Sequence, residues 1–211
     1  MTPVRPRAAR GEGSRLRAEI VEAAGRLLAE KGSEDAVSIR MIADAVGVTP
    51  PSLYLHFPDK DALIEAVCEE RFQQFDEALE KAAAGVDDPL EALRARGRAY
   101  VTFALENPEH YRVIFMTKHE RPMSLDELVS PGPEAGAGAR AFAHLVEAVA
   151  RAVAAGAVTS PNPVLTAIHL WSGFHGLASL MIVEPGFPWP DVDALVGSLL
   201  DAQEQGLLPR T

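Results

Sequence analysis

The sequence predicts an all-α protein with a small N-terminal part built on three short helices and a larger helical C-terminal part. Three observations predict it. Apolar residues recur at helical spacing along most of the chain, no alternating strand pattern runs beyond a few residues, and capping residues and glycines fall where helices would begin and end. With 211 residues, 47% of them hydrophobic, the chain can bury one large core or two modest ones.

The elements follow in order. Ile20, Val21, Ala24, Leu27 and Leu28 form one apolar stripe, which Lys31-Gly32 ends because glycine enters the left-handed conformation cheaply. Ser38 is placed to cap a second helix carrying Ile39, Ile42, Ala43 and Val46, and Gly47 stops it. Thr49 is placed to cap a third, with Pro50 at the first helical position, where a missing N–H costs nothing. Phe57 and Pro58 close it. Asp59 then opens a long fourth helix with Leu63, Ile64, Val67, Phe72 and Phe75 on its buried side. Beyond Gly85, Asp88-Pro89 opens a helix to about Glu106, and Asn107-Pro108 opens a short one carrying Tyr111, Ile114, Phe115 and Met116. Residues 130–139 (SPGPEAGAGA) read as a flexible connection, and helices follow at about 137–155, 162–183 and 190–205.

The net charge of −10 is unevenly spread. Through Arg17 there are five arginines (Arg5, Arg7, Arg10, Arg15, Arg17) against one acid, Glu12, and residues 1–13 read as a basic arm. Through Lys60 the balance is about +1, and the remainder carries −11. Only the first part can approach phosphate without strong repulsion. No stretch approaches the roughly 18 uninterrupted apolar residues of a membrane helix, and no apolar segment follows the basic start as in a secretory signal. A cytoplasmic location without membrane contact is therefore expected. The single cysteine, Cys68, rules out an internal disulfide framework.

Two short helices joined by a glycine-containing turn can present the second to a DNA major groove, and Ser38 to Phe57 has that form. Ile39, Ile42, Ala43, Val46, Val48 and Leu53 would pack inside, leaving Pro50, Ser52, Tyr54, Leu55 and His56 outward. The N–H groups around Thr49 suit phosphate, and Tyr54, His56 and Lys60 add donors on one flank. The spacing alone also allows Tyr54, His56 and Phe57 to be core.

The run IADAVGVTPPSLYLHFPDKDALIEAV, residues 42–67, resembles the DNA-binding domain of the TetR family of regulators, with the correspondence reaching back to about Leu16. The resemblance implies a helix-turn-helix DNA-binding domain over 14–60 and a ligand-binding and dimerisation domain over 61–211. It implies that Ser38 and Arg40 approach phosphate or base, that Thr49, Pro50, Ser52, Tyr54 and His56 line the DNA side, and that Lys60 touches backbone. Pro50 and Leu55 stand where the family often has polar or basic side chains. Pro50 cannot form the bidentate bonds that read base edges, which leaves base choice to Arg40, Ser52 and DNA shape.

In the C-terminal part, Tyr100, Phe103, Tyr111, Phe115, Met116, Trp171, Phe174 and His175 supply aromatic and flexible apolar surface, either as ordinary core or as the lining of a cavity for a small apolar or amphipathic effector. The run WSGFHGLASL, residues 171–180, resembles the tryptophan-histidine-glycine signature of one class of TetR C-terminal domains, through Trp171, His175 and Gly176. The resemblance implies a homodimer paired through the last two helices in a four-helix bundle, with Gly173, Gly176, Ser179, Leu180, Leu195 and Leu199 at the interface. Two recognition helices spaced by roughly 34–36 Å would read a palindrome. Ligand binding is expected to shift the fourth helix and so change the spacing of the recognition helices.

An enzyme would have to draw on Glu106, Glu109, His110, His119 and Glu120. No H-E-x-x-H, glycine-rich phosphate loop or G-x-S-x-G occurs, so no catalytic residue, metal site or cofactor is expected. A ligand-binding or scaffolding protein that has lost DNA recognition is the other alternative.

Overall fold

Helix ends in this chain fall where a side chain or a glycine satisfies backbone groups that the helix itself leaves open. The computed structural model describes residues 12–116, 124–132 and 134–205, and all regular structure among them is helical. Helix α1 (Glu12–Lys31) is followed by a 3-10 turn, Glu34–Ala36, that the sequence did not announce. The Ser38 hydroxyl accepts the Met41 N–H and starts α2 (Ile39–Val46), and Gly47 ends it at φ 77°, a value L side chains rarely adopt. Helix α3 (Pro50–Tyr54) has Thr49 at its N-cap, but not as a side-chain cap. Instead the Thr49 carbonyl accepts the Ser52 N–H at 2.8 Å, and the Thr49 and Ser52 hydroxyls bond each other at 3.0 Å.

Asp59 Oδ1 accepts the Ala62 N–H at 2.8 Å and opens α4 (Lys60–Ala83). Asp88 caps α5 (Pro89–Glu106), and α6 (Pro108–Met116) follows. A capping box between Ser124 and Glu127 forms the short α7 (Leu125–Val129), a second element that the sequence reading lacked. Helices α8 (Ala137–Ala154), α9 (Pro163–Val183) and α10 (Val192–Gln205) lie close to their expected spans.

The described residues pack as two units, one running to Arg71 and including Glu109–Met116, the other comprising Phe72–Pro108 and the residues from Ser124 onward. These units do not coincide with the boundary drawn from sequence between 60 and 61. The physical reason is that α4 does not break there, and its first turns bury Leu63, Ile64, Val67 and Cys68 in the same core as α1–α3. Val113 of α6 joins that core. Burial pushes the Cys68 thiol up to about 12, with the charges of Glu34 and Glu65 adding to it. Arg71 is also buried, and its Nη2 donates to Glu22 Oε2 on α1 at 2.7 Å. That bond holds the Glu22 carboxyl below its ordinary 4.5, against an opposing burial effect.

In the second unit, α5 and α8 pack on α9, α7 on α8, and α10 on α5 and α9. Small residues bring these helices close. A Cβ built on Gly97 of α5 would collide with the Phe174 ring of α9, with Cε1 at 2.7 Å. Helix α9 is long and apolar enough, by length and composition, to cross a membrane, which qualifies the reading from sequence. It nevertheless buries Ala167, Leu170, Phe174, Ala178, Met181 and Ile182 within this unit.

Two outcomes follow. Gly97→Ala should destabilise the chain, because overpacking of about 1–3 kcal/mol outweighs the helix-propensity gain of about 1 kcal/mol. Thermal unfolding checks this, and an unchanged or raised Tm would contradict it. Because Glu22 titrates below its unfolded value of 4.5, its pairing with Arg71 stabilises the fold above that pH and is lost as pH falls through the folded value. Glu22→Gln should therefore lower stability at neutral pH and flatten the decline below 4.5, as read by denaturant titrations across that range.

Candidate nucleic-acid interface

The five-residue helix α3 turns its Leu53 inward. Leu53 and Phe57, one turn apart, lie in the core with Ile20, Ala24, Ile42 and Leu63, while Ile39, Val46 and Val48 pack against it. Tyr54 and Leu55 are then forced outward, at 53% and 85% exposure. This resolves the two readings of the LYxHF stretch residue by residue: Phe57 is core, Tyr54 is surface, and His56 is half-buried. Thr49 is exposed at the N-cap of the same helix, with Pro50 and Ser52 half-buried. Ser38 and Arg40 are exposed at the start of α2.

Lys60, expected to touch the DNA backbone, also makes contacts within the chain. Its ammonium donates to the carbonyl oxygens of Glu34 at 2.9 Å and Val37 at 3.4 Å, and so caps the 3-10 turn from across the unit. Sequence spacing held no signal for this, because the 26-residue separation is bridged only in the fold. Arg17, the last of the N-terminal arginines, lies over the Phe57 ring at 4.7 Å and helps hold that anchor. Residues 1–11 of the basic arm lie outside the described residues.

The aromatic set expected to line a pocket is divided. Tyr100, Phe103, Trp171, Phe174 and His175 belong to the second unit, and Tyr111 and Phe115, whose rings are 4.8 Å apart, to the first. The side chain of Met116 lies outside the described residues. Within the second unit, Phe75, absent from the expected pocket set, stands edge-on to both Tyr100 and Phe103 at 5.0 and 5.4 Å. Trp171 Nε1 donates to the Tyr100 hydroxyl at 3.3 Å, and that hydroxyl is 3.1 Å from His175 Nδ1. An indole N–H only donates, so the phenol oxygen accepts there, while the direction of its bond to His175 Nδ1 follows the imidazole tautomer. Burial lowers the His175 pKa and so favours the neutral imidazole. A separate cleft of about 380 Å³, lined by Ser130, Arg140, His144 and Glu147 among others, includes none of the expected pocket residues.

Of the expected interface residues, Leu180 is exposed at 55%, and Gly176, Ser179, Leu195 and Leu199 are half-buried. Gly173 already serves a contact within the chain: a Cβ there would collide with the Gln203 amide, which donates to the His169 carbonyl at 3.1 Å.

Known proteins share this arrangement. The family model described as the C-terminal domain of tetracyclin repressor-like proteins matches residues 93–203, and that of bacterial regulatory proteins of the tetR family matches residues 20–67. The HTH-type transcriptional activator FasR of Mycolicibacterium smegmatis is 30% identical over 116 residues, 53% of this chain and 52% of its own length. The chain thus spans about half the length of the curated relatives it matches. Among solved structures, a protein of unknown function from Rhodococcus sp. RHA1 is 26% identical with a TM-score of 0.72, covering 92% of this chain and 96% of its own. A TetR family transcription regulator from Marinobacter aquaeolei VT8, at 22% identity, shares the fold with a TM-score of 0.71 over 96% of this chain and 100% of its own. With the C-terminal model alone spanning more than half of its residues and the helix-turn-helix matched as well, the chain belongs to the TetR family of bacterial regulatory proteins.

Proposed function

We propose that this chain is a non-enzymatic, cytoplasmic transcription regulator that binds a palindromic DNA operator as a homodimer and responds to a small apolar or amphipathic effector. The observation that carries the reading is the outward face of α3, where Tyr54 and Leu55 project from a helix held from behind by Leu53 and Phe57. Arg40, Thr49, Ser52 and Tyr54 supply donors for phosphate and base edges, while Pro50 and Leu55 offer only apolar contact, as to a thymine methyl. A dimer seated on promoter DNA obstructs polymerase, so the proposed sign is repression. A reporter assay separates this from the activator role that the name of FasR gives to that protein.

For the effector, the aromatic set around Tyr100 is the proposed site. It combines Phe75, Phe103 and Phe174 with the polar Trp171–Tyr100–His175 chain, which suits a ligand with an apolar body and one polar end. Trp171, His175 and Gly176 also support assigning the C-terminal half to the tryptophan-histidine-glycine class. Helix α4 contributes residues to both units, and an effector that favours one conformation of it would alter DNA affinity by its differential affinity for the two states. For the dimer, Leu180 and Val183 of α9 offer exposed apolar side chains.

The docking face is tested by fluorescence anisotropy with DNA from upstream of the protein's own gene, as a function of salt. Arg40→Ala should weaken binding and reduce the slope of log affinity against log salt by about 1, as the loss of one phosphate contact does. Lys60→Met should leave that slope unchanged, since its ammonium is committed to carbonyl oxygens. Equal slopes for wild type and Arg40→Ala would remove Arg40 from the interface. Leu180→Arg should shift the protein from dimer to monomer in sedimentation velocity and weaken operator binding with it. A variant that stays dimeric would displace the interface from α9.

A further inference from the structure

The second unit brings together three side chains that the regulator reading does not use. Asp76 and Glu80 stand one turn apart on one face of α4, and His144 comes from α8. One donor atom from each lies within 4.8 Å of the others. His144 Nδ1 is 3.0 Å from Asp76 Oδ1, and both Glu80 oxygens accept from Arg96, each at 2.9 Å. We propose that Asp76, Glu80 and His144 form a site for a divalent first-row transition-metal ion, of which zinc is the representative.

The donor set selects the class of ion. One imidazole nitrogen with two carboxylates suits zinc and its neighbours, whereas magnesium and calcium take oxygen alone. Three protein ligands are one fewer than a closed structural zinc site holds, so a coordination position remains for water or a small anion. The ordinary alternative is two separate pairs, Asp76 with His144 and Glu80 with Arg96, whereas the convergence of one donor atom from each of the three within 4.8 Å is what a shared ion needs.

The surroundings pre-form the site. Arg96 is buried, and its two-point grip fixes the plane of the Glu80 carboxylate, the orienting role that outer partners play around metal ligands. The guanidinium also opposes the ion, since two carboxylates and one arginine leave a net charge of only −1 to attract it. Affinity should therefore fall below that of a four-ligand structural site. His144 opens onto the cleft, where Glu147, three residues further along α8, brings another carboxylate to the same lining. The ion would tie α4 to α8.

Titration calorimetry of the metal-free full-length chain with zinc chloride tests the site, alongside Asp76→Asn and His144→Gln. The expected result is one zinc per chain for the wild type and a loss of at least about tenfold in affinity for each variant, with the circular dichroism of each unchanged. X-ray absorption of the zinc-loaded wild type should show oxygen and nitrogen neighbours with one imidazole and no sulfur. This measurement stands even if a variant fails to fold. Absence of wild-type binding, binding that survives His144→Gln, or an absorption spectrum without imidazole overturns the site. Because ion uptake is read directly, a failure of DNA binding would not produce any of these outcomes.

Discussion

A helix of five residues has no stability of its own in water, because nucleation costs more than one turn of hydrogen bonds returns. Helix α3 exists because Leu53 and Phe57 are buried, each contributing on the order of 1.5–3 kcal/mol, against helices α1, α2 and α4. Everything proposed about nucleic acid depends on that anchorage. It fixes the rotation of α3 about its own axis, and the rotation decides that Tyr54 and Leu55 face solvent. Gly47 makes the turn between α2 and α3 tight enough for the two helices to share one core, and Arg17 closes over Phe57 from the N-terminal side.

The second unit is held by a different device. Its helices meet through small residues, with Gly97 under Phe174 and alanines such as Ala139, Ala143, Ala152, Ala167 and Ala178 buried between larger side chains. Close backbone approach leaves little room for polar groups, so those inside, Tyr100 and Arg96, are joined to partners nearer the surface. Trp171, Tyr100 and His175 form one such chain, and Arg96 with Glu80 another. Both sets are candidates for ligand chemistry because burial makes an unsatisfied polar group expensive and a satisfied one well ordered.

The helices were legible from sequence wherever a cap and a stripe agreed: Ser38 before Ile39 and Ile42, Asp59 before Leu63 and Ile64, Asp88-Pro89 before Leu93. The outward face of α3 was legible in part: Tyr54 and Leu55 are exposed as expected, while Pro50, Ser52 and His56 are half-buried. What escaped was whatever needs three dimensions. Lys60 reads as a free cation near a DNA face, yet it caps carbonyls 23 and 26 residues earlier. Tyr111 and Phe115 read like Tyr100 and Phe103, yet Glu109–Met116 packs with the other unit. Asp76, Glu80 and His144 are unremarkable in sequence, because 64 residues separate Glu80 from His144 and only the packing of α4 and α8 makes them converge.

The lone thiol of the chain lies at the seam between α4 and α6, with its sulfur 4.0 Å from the Val113 carbonyl. Alkylating reagents and peroxides attack the thiolate, and a group that ionises only near 12 supplies almost none of it at neutral pH. While the first core is intact, Cys68 is chemically silent, and its labelling by a thiol reagent would follow the opening of that core. The protein thus carries an internal gauge of local unfolding in the same unit that presents α3.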